Sequence, residues 1–152
     1  VKKALPLKGL VKVRRDARII ERTGSSLSRE AEEAFFAAAD VLSEGGAREH
    51  RDGSATYFGS TMLSVRFDAL SARFRGTFDE AMRERVGSLV EGSVRVRLRV
   101  VRLARAQALE RLGGRSLGTV RAETNVRVTG EELLVDVDLE APVEMASKVK
   151  RR

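Results

Sequence analysis

Apolar residues recur at three- and four-residue steps from Leu27 through Ala31, Phe35 and Ala38 to Leu42, a spacing that predicts an amphipathic helix over about Ser28–Ser43. Ser28 is placed to cap it, Glu30, Glu32 and Glu33 favour its positive end, and Gly45-Gly46 is the expected stop. Residues 44–54 read as a polar loop. Ala55–Phe58 and Met62–Phe67 then read as two short strands around Gly59-Ser60, with Ser71–Phe74 extending the second or opening a turn. Thr77 and Glu80 have the spacing of a capping box. They introduce a helix over about Phe78–Glu91, with Phe78, Met82, Val86 and Leu89 or Val90 inward and Gly92 at its end.

From Val94 to Val100 apolar residues alternate with Arg95, Arg97 and Arg99, which predicts a strand with one apolar and one arginine face. The doubled Val100-Val101 breaks that phase, so the strand is expected to run to about Arg102 and a short helix to occupy Ala104–Leu112, closed by Gly113-Gly114. The C-terminal part predicts a hairpin. Val120, Ala122, Thr124, Val126 and Val128 alternate with polar residues, as do Leu133, Val135, Val137 and Leu139. With Gly130-Glu131 at the tip, Val128 faces Leu133, Val126 faces Val135 and Thr124 faces Val137, which gives both strands one apolar face. On the other face Glu123 meets Asp138, a like-charge pair costing a few tenths of a kcal/mol unless a cation is near. The expected cation is the arginine face of residues 94–100. The fold class that follows is α+β: an antiparallel sheet with two or three helices packed on one face, and basic N- and C-terminal arms.

At 152 residues, 42% apolar and 34% charged, the composition supports one continuous core. Its positive charge is unevenly placed. Residues 1–18 hold Lys2, Lys3, Lys8, Lys12, Arg14, Arg15 and Arg18 against Asp16 alone, and the last five residues add Lys148, Lys150, Arg151 and Arg152. Between them 18 arginines face 21 acids, so a body of about −3 carries ends that raise the whole chain to +7. All six lysines lie in those ends. The expected organisation is a basic arm over 1–18, in which Pro6 and Gly9 oppose a helix, a single α+β domain over 19–147, and a basic tail over 148–152.

Cysteine is absent, which removes disulfides, thiolate nucleophiles and cysteine-based metal sites. The longest apolar run, Ala34–Ala39, falls far short of the roughly 20 residues of a spanning helix, and Lys8 and Lys12 interrupt any signal-peptide core. A cytoplasmic protein, or one within a virion or other particle, is expected. The single histidine, His50, sits among Arg48, Glu49, Arg51 and Asp52 and reads as a solvated loop residue rather than a general base. No Gly-x-Ser-x-Gly or Ser-x-x-Lys motif occurs, and the glycines of residues 113–118 lack the Gly-Lys-Ser/Thr ending of a phosphate loop.

Asp136, Asp138 and Glu140 share one strand face at roughly 7 Å intervals, close enough to hold a hydrated divalent ion, although a solvated hairpin face balanced by Arg121 and Arg127 accounts for them more simply. Asp52, Ser54 and Thr56 start like a calcium loop but lack its closing acid. Arg95, Arg97 and Arg99 have the chemistry of phosphate contacts, with neutralisation by nearby acids as the simpler role. Tyr57 is the sole tyrosine, so a base-stacking sheet is not indicated.

The expectation is therefore a non-catalytic structural or assembly protein without cofactor or metal. It is a subunit of a homo-oligomer or larger particle, for example a virion connector or capsid-associated component. Its arm residues, Lys2, Lys3, Lys8, Lys12, Arg14, Arg15, Arg18, Lys148, Lys150, Arg151 and Arg152, contact nucleic acid or acidic neighbours. The alternative is a sequence-independent RNA- or DNA-binding module, including a ribosome-associated one. A metal-dependent enzyme built on Asp136, Asp138 and Glu140 is the third reading.

Overall fold

A computed structural model describes residues 5–6, 27–75 and 77–144. In chain order the elements are β1 (Leu5–Pro6), α1 (Arg29–Ala38), β2 (Ala39–Glu49), β3 (Ala55–Arg66), α2 (Phe67–Arg73), β4 (Phe74–Arg75), α3 (Glu80–Glu91), α4 (Val94–Arg111), β5 (Ser116–Leu117), β6 (Arg121–Val128) and β7 (Glu132–Glu144). The fold is α+β. A five-stranded antiparallel sheet has the order β2-β3-β7-β5, with β6 also on β7, and β1 pairs separately in parallel with β4. Four helices accompany it among the described residues, where the pattern predicts two or three.

Two compact units share these elements. One comprises Val1–Asp40, Leu63–Arg97 and Val126–Val135; the other comprises Val41–Met62, Leu98–Asn125 and Asp136–Arg152. In the first, Phe78 lies 5.6 Å from Phe67 and 6.4 Å from Phe74 between ring centroids, the latter edge-on, among the buried Leu70, Met82 and Val86. Helix α3 approaches the sheet closely at Gly87, where any Cβ would collide with Val128. In the second unit Tyr57, Val100, Ala104, Ala108, Val137 and Leu139 are buried. Along β7, Leu133, Val135, Val137, Leu139 and Ala141 are buried, and Asp138, Glu140 and Pro142 are exposed. From Val135 onward that alternation is the half-buried pattern predicted for the hairpin, whereas Leu134, on the face predicted polar, is buried as well.

Several boundaries differ from the sequence reading. Ser28 does cap α1, its side chain accepting from the Ala31 amide at 3.1 Å, but the helix ends at Ala38 and residues to Glu49 form β2. Leu42, which continues the helical stripe in the sequence, lies 63% exposed in that strand. Gly45 and Gly46 lie inside that strand instead of stopping a helix. The predicted pair of short strands is one, β3, because Gly59 makes no turn. A Cβ there would lie 2.5 Å from the Tyr57 ring, so glycine is what lets the buried tyrosine lie along the strand. Ser71–Phe74 neither extends a strand nor turns: Phe67–Arg73 is helical. For α3 the cap is Asp79, accepting from the Met82 amide at 2.8 Å, rather than Thr77.

The largest correction concerns residues 94–102, which are helical and continuous with Ala104–Arg111. Val96, Val100, Ala104, Ala108 and Leu112 are buried at four-residue steps, a spacing that satisfies a helix and also falls in phase with strand alternation. Val94 and Leu98, which a strand would have buried with them, are 60% and 52% exposed. Ser93 starts the helix by accepting from the Val96 amide at 3.2 Å.

Candidate functional site

The outer face of the sheet in the second unit carries a row of exposed polar groups. Because side chains alternate along a strand, Glu123 of β6 and Asp138 and Glu140 of β7 emerge together on the side away from the buried row. Phe58 and Ser60 of β3 and Glu44 of β2 complete the lining of an open groove of about 940 Å³, with Arg121 the one cationic side chain along it. The Thr129 amide donates to the Glu132 carbonyl at 2.9 Å, the bond that belongs to the predicted register with Val128 opposite Leu133. In that register Glu123 faces Asp138, and both line the groove. The cation beside them is Arg121 of their own sheet, not the expected arginine row.

That row does not exist as such. On a helix, Arg97 points away from the side shared by Arg95 and Arg99. Arg95 binds Glu32 and Arg97 donates to the Glu91 carbonyl at 3.3 Å. Asp136, Asp138 and Glu140 do share a strand face, yet among the described residues no group of three or more His, Asp or Glu side chains is placed to hold a metal ion. His50 lies exposed at the start of the β2–β3 turn, its Nε2 2.8 Å from Thr56 Oγ1. In the same turn Asp52 accepts from the Ser54 hydroxyl at 2.6 Å and its amide at 2.9 Å; these bonds hold the carboxyl below its ordinary pKa. Asp52 and Ser54 thus close a turn, not a calcium loop.

The arm residues Lys2, Lys3, Lys8, Lys12, Arg14, Arg15, Arg18, Lys148, Lys150, Arg151 and Arg152 lie outside the described residues. Of the predicted N-terminal arm, Leu5 and Pro6 are described, paired with Phe74 and Arg75. No helix among the described residues is long and apolar enough to cross a membrane.

The sequence reading missed the hairpin that borders the groove. β2 is exposed along nearly its whole length and ends the sheet, with Val41 38%, Leu42 63% and, on β3, Phe58 40% accessible. The Arg48 guanidinium lies 5.2 Å from the Phe58 ring centroid. The signal was present in Ala39–Glu49 only as weak alternation broken by two glycines. No family model, curated protein or solved structure matches the chain.

Proposed function

We propose that this chain is a non-catalytic structural or assembly protein, a subunit of a larger homo-oligomer or particle such as a virion connector or capsid-associated component, whose basic terminal segments contact nucleic acid or acidic neighbouring subunits. The observation that carries the reading is β2: an eleven-residue strand at the end of the sheet, carrying the accessible Val41 and Leu42 beside the accessible Phe58 of β3. An edge of this kind is a template for pairing with another chain. The carboxylate-lined groove beside it has the sign that basic segments seek. The test is size-exclusion chromatography with light scattering at low and high salt. Self-association, or association with added nucleic acid that weakens as salt rises, is expected; a strict monomer indifferent to both overturns the reading.

A nucleic-acid module is the second reading, and α4 favours it. The helix carries six arginines against Glu110 alone, with Arg102 and Arg105 exposed about one turn apart. Trimming residues 1–18 and 148–152 discriminates between the sources of binding. If affinity and its salt slope vanish, the terminal segments carry it; if both survive and are lost in Arg102→Glu/Arg105→Glu, the helix does.

A further inference from the structure

The pairing of β2 with β3 decides which backbone groups of β2 remain over. The His50 amide donates to the Ser54 carbonyl at 2.8 Å, and the Thr61 hydroxyl reaches that of Ser43 at 3.3 Å, so Gly46 lies across from Phe58 and Glu44 across from Ser60. Bonded residues alternate along an antiparallel ladder. The even-numbered residues of β2 therefore bond to β3, and the N–H and C=O of Ser43, Gly45, Ala47 and Glu49 point outward. Arg111 marks that direction, donating to the Ser43 carbonyl at 2.6 Å and its hydroxyl at 2.8 Å. Ser43 is thereby occupied. The open stretch of edge begins at Gly45.

We propose that β2 is the seam of a two-fold dimer, running antiparallel to β2 of a second copy with Gly46 on the axis. The proposal rests on the assembly reading above and names its partner. Gly45 and Ala47 then exchange their free backbone bonds with Ala47 and Gly45 of the partner subunit; Ser43, opposite the partner's Glu49, stays with Arg111, so the bonded ladder ends at these two residues. Glu44 comes to lie opposite Arg48 of the partner subunit, and by symmetry Arg48 opposite the partner's Glu44. These are non-bonded positions of the ladder, where facing side chains approach most closely.

Neighbouring registers lack this match. An axis at Glu44 sets two glutamates face to face, an axis at Gly45 sets Leu42 against Arg48, and both require the Ser43 backbone; an axis at Ala47 spares Ser43 but sets Glu44 against His50 and leaves Arg48 opposite Gly46. The Arg111 contact thus disfavours the centres before Gly46, and charge complementarity separates Gly46 from Ala47. Among the described residues neither Glu44 nor Arg48 forms an ion pair, and the Arg48 guanidinium lies over the Phe58 ring, so both charges are available to a partner. At Gly46 the space where a Cβ would stand is empty. The exposed Phe58, opposite it, is placed to cover the paired glycines from each side, as aromatic residues do for glycine in neighbouring strands.

Light scattering of the full chain across a wide concentration range tests the seam, using Glu44→Arg, Arg48→Glu, the double exchange Glu44→Arg/Arg48→Glu, and Ala47→Pro. Circular dichroism checks that each variant folds. Each single reversal sets like charges together twice and is expected to weaken the dimer at least roughly tenfold. The double exchange restores it. Ala47→Pro removes an outward N–H that β3 does not use and leaves a folded monomer. Amide exchange at Gly45 and Ala47 slows with concentration in the natural sequence and not in Glu44→Arg. A dimer that survives the single reversals, or is not restored by the double exchange, overturns this seam while leaving assembly through other surfaces intact. A monomer at every concentration, without partners in any salt, overturns both.

Discussion

Arg95 and Glu32 form an ion pair in which Nε stands 2.6 Å from Oε1; the glutamate side chain is 8% accessible and the arginine 46%. The same guanidinium donates to the Leu27 carbonyl at 3.3 Å. One side chain from the first turns of α4 thus binds the start of α1 through both a charge and a backbone oxygen. Removing the arginine takes a charged partner from a buried carboxylate, which is left with its remaining interaction only. Arg95→Ala is expected to lose about 1–3 kcal/mol in urea unfolding, below the range for a fully buried pair because water reaches the guanidinium. Glu32→Ala is expected to lose a similar amount, because the released arginine turns to solvent while the glutamate's other interaction is lost as well. In the double variant the loss is smaller than the sum of the two, since each single change already breaks the same pair.

The start of α3 gives a second test. Two residues compete for the cap, and only Asp79 accepts a bond from the Met82 amide. Asp79→Ala is expected to cost about 1 kcal/mol, and Asp79→Ser much less. Thr77→Ala, which would be the damaging change if the capping box had formed, is expected to leave the melting temperature unchanged. The comparison is made by thermal unfolding of the three variants under one condition.

These two sites show where the sequence was readable. Ser28 as a cap, the apolar faces of β6 and β7 and their turn were legible because each depends on neighbours within a few residues. What failed depended on partners far along the chain. The alternation at residues 94–100 fits both periods at Val96 and Val100, and only the exposure of Val94 and Leu98 separates them. Gly45, Gly46 and Gly59 read as breaks because nothing local announces that the Tyr57 ring lies against Gly59 or that Gly45 sits within a paired strand. The groove followed the same rule. Its β7 carboxylates and Glu123 were visible as a strand face, whereas Glu44 joined them only once β2 had formed.

Gly87 tests the closest approach of helix and sheet. A Cβ at this position would run into the Val128 side chain, with Leu133 3.8 Å away. Helix propensity favours larger residues other than proline here by up to about 1 kcal/mol, so the sign is a contest between propensity and space. Valine adds bulk that the site cannot hold. Gly87→Val is expected to destabilise by about 1–3 kcal/mol. Shortening the obstacle reverses part of the effect: Val128→Ala in the Gly87→Val background is expected to recover stability, although Val128→Ala alone loses it. Urea midpoints of the four proteins measure the coupling.

The β2–β3 turn carries the pH dependence. Asp52 is held below its ordinary pKa first by the Ser54 hydroxyl and then by the Ser54 amide, with a smaller contribution from His50. A carboxyl whose folded pKa is depressed stabilises the fold above its unfolded pKa and loses that contribution as pH falls through the folded value. The turn is therefore expected to stay closed at neutral pH and to loosen as the solution is acidified below about pH 4. Asp68, lowered by its hydrogen bond to Arg66, acts in the same direction, so a global melt would merge the two. The Ser54 amide separates them. Its exchange rate, corrected for the intrinsic pH dependence of exchange, is expected to rise on acidification in the natural sequence. In Asp52→Ala it is raised already at neutral pH and flat below it, while Asp68→Ala leaves the Ser54 profile unchanged. A Ser54 amide whose protection ignores pH in the natural sequence contradicts the turn's dependence on this carboxylate.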